Sequence, residues 1–148
     1  MSDIIAYLQH FWKDRRSEAN VQHEWGTQGP QLHAQIRPGD IIWVVTTGGP
    51  DTLDKWRLFQ KIVMDRLFVD PICSYLYRIA GKDDQCAVYR LEGQPDLAPL
   101  LQRLLFSSGR RITAMGRRIG QALQTTRPLI EADSELFRQH ADSLARCR

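Results

Sequence analysis

The chain has 148 residues, of which 43% are hydrophobic and 25% are charged, and it carries a formal net charge of +3. This length predicts a single domain, residues 1–148, with a buried core, and the composition is typical of a soluble globular protein. No apolar run is long enough to cross a membrane. The first residues, Met1–Ile5, lack the basic and apolar segments of a signal peptide, so we expect a cytoplasmic protein.

The cysteines argue against two common ways of stabilising a small domain. They are odd in number and have no short paired spacing, which predicts thiols outside any disulfide framework or zinc site. The three residues are Cys73, Cys86 and Cys147.

The first forty residues contain one ambiguous element and one short helix. Ile4–Trp12 has helical spacing with Asp3 as a possible N-cap, but its alternate residues suit a strand equally well. A charged loop is expected over 13–20. Pro30 is placed to begin a short helix that runs to about Gln35.

The segment Ile41–Thr47 gives the clearest structural signal in the chain. It follows a Pro-Gly-Asp turn at 38–40, and its first five residues are β-branched or aromatic. Alternate side chains of a strand point to opposite faces, and here both faces are apolar: Ile41, Trp43 and Val45 on one, Ile42 and Val44 on the other. We therefore expect a central strand buried on both sides.

Three further strands are predicted downstream: Lys55–Asp65, Ser74–Ala80 and Gln85–Leu91. The first is expected to form an antiparallel hairpin with the central strand across a loop of about eight residues. Its alternation places Trp56, Leu58, Ile62 and Met64 together on one face.

The last third of the chain changes to a helical period. Asp96 is placed to cap a leucine-rich helix, and further helices are predicted over Thr113–Gln124 and Glu131–Arg146. Gly116 and Gly120 lie four residues apart, which would allow the middle helix to approach a neighbour closely. The residues expected on its buried side are Met115, Ile119 and Leu123.

The chain lacks the motifs that mark common catalytic or cofactor sites. It has no phosphate-binding glycine loop, no dinucleotide fingerprint, no H-E-x-x-H and no C-x-x-C. His10, His23 and His33 have no known metal-ligand spacing. We therefore expect a binding module, not an enzyme, with no cofactor and no metal.

Arginines dominate the basic residues near the C-terminus. Six lie between positions 103 and 127, and no acidic residue separates them. Guanidinium groups match the geometry of phosphates, which favours nucleic acid as the partner. The alternative is a solvated helix face without a ligand.

The order of several motifs resembles the PUA-like superfamily, and is most similar to its EVE branch, with YTH and ASCH domains as more distant relatives. The motifs are Trp25-Gly26, the turn at 38–40, the strand Ile41–Thr47 and the strand Trp56–Met64. The similarity covers roughly the first 90 residues. It implies an α+β fold in which a small antiparallel β-barrel, about 1–92, is packed by helices within 96–146, with Ile4–Trp12 as the first barrel strand.

Several members of this superfamily read a modified base that is flipped into an aromatic pocket. The resemblance implies a ligand site formed by Trp25, Trp43, Thr46 and Thr47. Packing is the alternative for both tryptophans: Trp43 has apolar neighbours, whereas the polar neighbours of Trp25 make it the better ligand candidate. The expected contacts to the nucleic-acid backbone are Arg15, Arg16, Arg110, Arg111, Arg117 and Arg118.

The function predicted from the sequence is non-catalytic recognition of DNA or RNA, modified or unmodified. The first alternative is a small enzyme or a nucleotide-ligand binder that uses the same pocket. The second is a protein-interaction module whose arginine-rich helical face contacts an acidic partner. No membrane association is expected, and no oligomeric state is predicted.

Overall fold

The computed structural model describes residues 3–8, 21–47, 55–72 and 75–147, with the side chain of Arg117 excepted. Several residues that carry sequence-based predictions lie outside the described residues: His10, Trp12, Arg15, Arg16, Cys73 and the loop 48–54.

The chain has a mixed α+β fold, as predicted, with most of its described strands before residue 90 and most of its described helices after residue 97. The strands are β1 Ile4–Leu8, β2 Glu24–Thr27, β3 Ile41–Thr47, β4 Trp56–Val69, β5 Tyr77–Gly81, β6 Ala87–Val88 and β7 Arg127–Pro128. The helices are α1 Gln31–Gln35, α2 Ala98–Arg103, α3 Ile119–Ala122 and α4 Glu131–Asp142, and a 3-10 turn over Gly116–Arg118 precedes α3. None of the described helices is long and apolar enough to cross a bilayer.

The strands form one curled half-barrel in the order β2-β5-β4-β3-β1-β7, and β6 pairs with β4. The predicted hairpin of β3 and β4 is confirmed. The prediction of an antiparallel sheet is wrong in one place, because β1 runs parallel to β3. A parallel pair needs a long crossover connection, and the chain between β1 and β3 supplies it with β2 and α1 on the way. Ile4–Leu8 is thus a strand, which resolves the helix–strand ambiguity for the described part of the segment Ile4–Trp12.

The two faces of β3 belong to two different cores, as its apolar alternation predicted. Trp43 and Val45 pack with the C-terminal helices, and the Trp43 ring stacks on Phe137 with centroids 5.3 Å apart. Ile42 and Val44 pack on the inner side, with Leu32 of α1 and with Ile36, which follows this helix. We call these the helix-side core and the inner core.

A β-bulge in β4 changes which of its side chains share a face. Val44 pairs with Gln60 and Val45 pairs with Leu58, so Phe59 is an extra residue in β4. One extra residue reverses the alternation beyond it. Trp56 and Leu58 therefore lie in the helix-side core whereas Ile62 and Met64 lie in the inner core, contrary to the single face predicted.

Several element bounds also differ from those predicted. β4 continues to Val69, and β5 begins at Tyr77 and not at position 74. The predicted strand Gln85–Leu91 reduces to Ala87–Val88 and one isolated bridge beyond it. α4 ends at Asp142, four residues before its predicted end.

The predicted helix Thr113–Gln124 is the largest error, because only Gly116–Ala122 is helical there. Gly116 has φ +56°, a left-handed conformation that is incompatible with a right-handed helix. The helical segment therefore does not extend to residues before Gly116. Met115, predicted to be buried, is 75% exposed, whereas Ile119 and Leu123 are buried as predicted.

Candidate nucleic-acid interface

An open groove with a volume of about 400 Å³ lies along the arginine-rich segment. Four arginines contribute to its surface, and no acidic residue of the described chain does. The lining residues are Arg110, Arg111, Ile112, Thr113, Ala114, Arg118, Gln121, Ala122 and Arg127.

Buried apolar residues hold this segment against the helix-side core. Ile112, Ile119 and Leu123 are each at most 5% exposed and belong to that core. Because Ile112 points inward, the neighbouring Arg111 is left on the surface, where it and Arg110 are exposed. Buried apolar residues thus anchor an irregular stretch and a short helix, and the described arginine side chains beside them are exposed.

The arginines of the groove differ in their partners from Arg138, which lies on α4. Arg138 forms ion pairs with Asp3, Glu131 and Glu135, at 2.9–3.7 Å. Over the described ranges, no carboxylate comes within 4.0 Å of a groove guanidinium. The positive charge of the groove is therefore not neutralised by the described part of the protein.

Arg127 is the most constrained member of the four. Its guanidinium carbon lies 3.6 Å from the centre of the Phe106 ring, and its Nη1 makes a long hydrogen bond of 3.5 Å to the carbonyl of Ala122. Partial burial lowers the pKa of Arg127 below its ordinary value. A partly desolvated cation without an anionic partner gains energy when an anion binds beside it.

Of the predicted backbone contacts, the structure places Arg110, Arg111 and Arg118 in this groove. Arg117 lies in the 3-10 turn that precedes α3. The predicted set omitted Arg127, although it belongs to the same run of arginines. No local sequence pattern indicates that Arg127 lies beside Arg110, Arg111 and Arg118, because a helix and a turn separate it from Arg118.

The predicted aromatic pocket is not assembled in this structure, because its four residues lie on opposite faces of the sheet. Trp43 is fully buried in the helix-side core, and the Thr47 hydroxyl on that face is 2.8 Å from the Tyr7 hydroxyl. Trp25, on the edge strand β2, packs against the inner core. Thr46 is also fully buried, and its hydroxyl donates to the carbonyl of Leu8 at 2.9 Å.

Several polar side chains besides Thr46 are buried within the fold, and no motif in the sequence predicts their burial. Arg57 pairs directly with Thr46 across the strands and is fully buried. Gln60 Nε2 lies 2.9 Å from His23 Nδ1 and donates to the carbonyl of Gln22 at 3.0 Å. Arg57 and Gln60 lie in β4, where the sequence predicts partial burial along the whole strand. A polar residue in such a strand gives no indication that its side chain is completely buried.

Residues with metal-binding side chains are dispersed over the fold. Within the ranges described, no group of three or more His, Cys, Asp or Glu residues is placed to hold a metal ion. Cys86 and Cys147 form no disulfide.

In comparisons with known proteins, no family model matches this chain and no curated protein matches it. The resemblance to the PUA-like superfamily therefore stays a prediction.

Proposed function

We propose that this protein is a non-catalytic module that binds the phosphate backbone of nucleic acids in the groove lined by Arg110, Arg111, Arg118 and Arg127. The observation that carries the proposal is the presence of four arginines, and no acidic residue, on one open surface of the described chain. Because no carboxylate of the described residues lies nearby, an external anion is the natural partner of these side chains.

The geometry of the groove suits a chain of phosphates better than a single small anion. The groove is open, so that a polymer can pass along it, and its cations lie on the irregular stretch 110–114, at the end of the 3-10 turn and on β7. Separate cations along a surface neutralise successive phosphates and release their counterions, which supplies most of the affinity of non-specific nucleic-acid binding.

We propose in addition that the half-barrel is a PUA-like domain of a cytoplasmic protein. The support is the succession of Trp25-Gly26, a short helix, a Pro-Gly-Asp turn and an apolar strand, followed by its hairpin partner. Binding through the arginine groove does not depend on this family assignment.

The test compares two triple variants that remove the same charge. Arg110→Ala, Arg111→Ala and Arg118→Ala remove three exposed cations of the groove, whereas Arg66→Ala, Arg90→Ala and Arg146→Ala remove three exposed cations elsewhere. Binding of a labelled single-stranded oligonucleotide is measured by fluorescence anisotropy over a range of salt concentrations.

We expect the groove variant to bind all sequences more weakly. The slope of log K against log salt should become shallower by about 2, the effect of three lost phosphate contacts at ~0.7 each. The control variant should differ much less from the parent, both in affinity and in the slope of log K against log salt. Equal losses in the two variants would indicate a general charge effect and contradict the proposal. If the parent protein bound polyglutamate as tightly as it binds the oligonucleotide, the groove would instead be assigned to an acidic protein partner.

A further inference from the structure

We propose that the groove selects single-stranded nucleic acid, because the Arg127 guanidinium forms a platform on which one unpaired base stacks while the other three arginines hold phosphates. This inference rests on the proposed function and adds to it the class of nucleic acid. The juxtaposition of Arg127 and Phe106 is the observation that carries it.

Phe106 lies beneath Arg127 and not beside it. The ring is 2% exposed and does not line the groove, whereas Arg127 does. Because the guanidinium carbon is 3.6 Å from the ring centre and Arg127 lines the groove, we infer that the guanidinium lies between the buried aromatic ring and the open groove. One face of the guanidinium is therefore covered by protein, and the other is available to a ligand.

A buried carboxylate holds Phe106 in an unusual conformation. Phe106 has φ +57°, which is uncommon for a residue other than glycine. Asp133, only 1% exposed, accepts hydrogen bonds from the amides of Leu105 and Phe106 at 2.9 and 2.8 Å. The first turn of α4 thus fixes the backbone that supports the aromatic ring.

The backbone of Arg127 is fixed by its pairing within the sheet. Arg127 pairs with Ile5 as part of β7, and Thr126 exchanges hydrogen bonds with the side chain of Gln35 at 2.7 and 3.2 Å. The backbones that carry the ring and the guanidinium are therefore each fixed by a separate element. Little conformational entropy remains to be lost at this position when a ligand binds.

A planar cation with one exposed face is suited to a nucleobase. Guanidinium planes stack on flat π systems as well as pairing with phosphates, and unstacked bases of single strands are recognised in this way. The bases of a duplex are stacked on each other and do not offer a face. Arg110, Arg111 and Arg118, which are exposed, are free to contact the phosphates on either side.

The experiment uses the full chain and two strands of equal length, one with bases and one abasic, so that the phosphates are the same. The variant Arg127→Lys keeps the charge and removes the plane. Arg118→Lys is the matched control, because it makes the same change in the same groove at a residue without a described aromatic platform. A duplex of the same sequence is the third ligand.

We expect the parent to bind the base-bearing strand about 5- to 150-fold more tightly than the abasic strand, which is the equivalent of one stacking contact of ~1–3 kcal/mol. Arg127→Lys should lose this preference, and Arg118→Lys should keep it. The parent should also prefer the single strand to the duplex. The parent's preference requires no variant, so the test stands even if Arg127→Lys folds poorly.

Three results would overturn the inference. Equal binding of the base-bearing and abasic strands by the parent would show that no base is stacked. A preference that survives in a folded Arg127→Lys would place the stacking elsewhere. Tighter binding of the duplex would reverse the selectivity. In each of these cases the salt-dependent backbone binding still stands, whereas failure of every strand to bind overturns the proposed function as well.

Discussion

Trp43 and Trp25 are the same residue type in opposite surroundings, and the difference follows from their strands. Trp43 lies in β3, which is covered on both faces, and its ring stacks on Phe137 while Lys61 Nζ approaches to 5.9 Å from its centre. Trp25 lies in β2, the first strand in the order of the sheet, and is only partly buried. The position of its strand in the sheet, and not the residue type, thus decides how far each tryptophan is buried and how much it stabilises the core.

Trp43→Ala should lower the free energy of unfolding by about 3–5 kcal/mol, since it removes a fully buried aromatic side chain from between β3 and α4. Trp25→Ala should cost clearly less, because part of its surface is already in water. Urea denaturation followed by circular dichroism measures both.

The Trp25→Ala variant also tests the pocket predicted from the sequence. If Trp25 stacks on a base, its loss should weaken oligonucleotide binding by ~1–3 kcal/mol. Unchanged binding would leave Trp25 as ordinary packing of the inner core. A smaller loss of stability for Trp43→Ala than for Trp25→Ala would contradict the burial described here.

α3 is a helix of four residues that depends on contacts with the sheet, since an isolated helix of this length is not stable in water. Its Gly120 lies against the Tyr7 ring, and an added Cβ would be 2.7 Å from Tyr7 Cε2. Tyr7 in turn packs on Trp56, with ring centroids 4.8 Å apart. The predicted close approach is confirmed for Gly120, whereas Gly116 serves a left-handed conformation with no heavy atom near its added Cβ.

Gly120→Ala should destabilise the protein by about 1–3 kcal/mol, the usual cost of overpacking a buried contact. The ring of Tyr7 cannot move away without disturbing its contacts with Trp56 and Thr47. Thermal unfolding measures the effect, with Gln121→Ala at the adjacent exposed position as the control. A gain in stability from Gly120→Ala, as expected from helix propensity alone, would show that α3 is not tightly packed.

At the scale of the whole molecule, β3 and the first half of β4 form the centre of the fold. They separate the helix-side core from the inner core and have the most extensive pairing of the sheet. The edge strand β2 has four partly buried residues and pairs only with β5 in the described sheet. Stability is therefore expected to differ between the centre and the edge.

Native-state hydrogen exchange should be slowest at the amides of Ile42, Val44 and Ile62, which open only with global unfolding. The amides of Trp25 and Thr27 in β2 should exchange faster through local opening of the edge. Exchange monitored by NMR at neutral pH compares the two sets. Protection of β2 equal to that of β3 would contradict this order of stabilities.

The local chemistry of the sequence is sufficient to determine the central strand, its hairpin and the presence of helices after residue 96. These features depend on turn residues and on periodic burial over a few positions, which are local properties of the chain. The run of arginines likewise indicates a basic surface, because charged side chains without nearby acidic residues in the chain seldom enter a core.

Other features were decided only by tertiary structure. The bulge at Phe59 and the parallel pairing of β1 with β3 depend on which strands meet, and a period-two pattern is compatible with several arrangements. The aromatic residues proposed for one pocket are separated by the sheet for the same reason. Arg127 reaches Phe106 only because β7 pairs with β1 and because Asp133 of α4 fixes the preceding loop. These contacts join segments that are far apart in the sequence. No pattern within either segment indicates its partner, so only the three-dimensional packing brings them together.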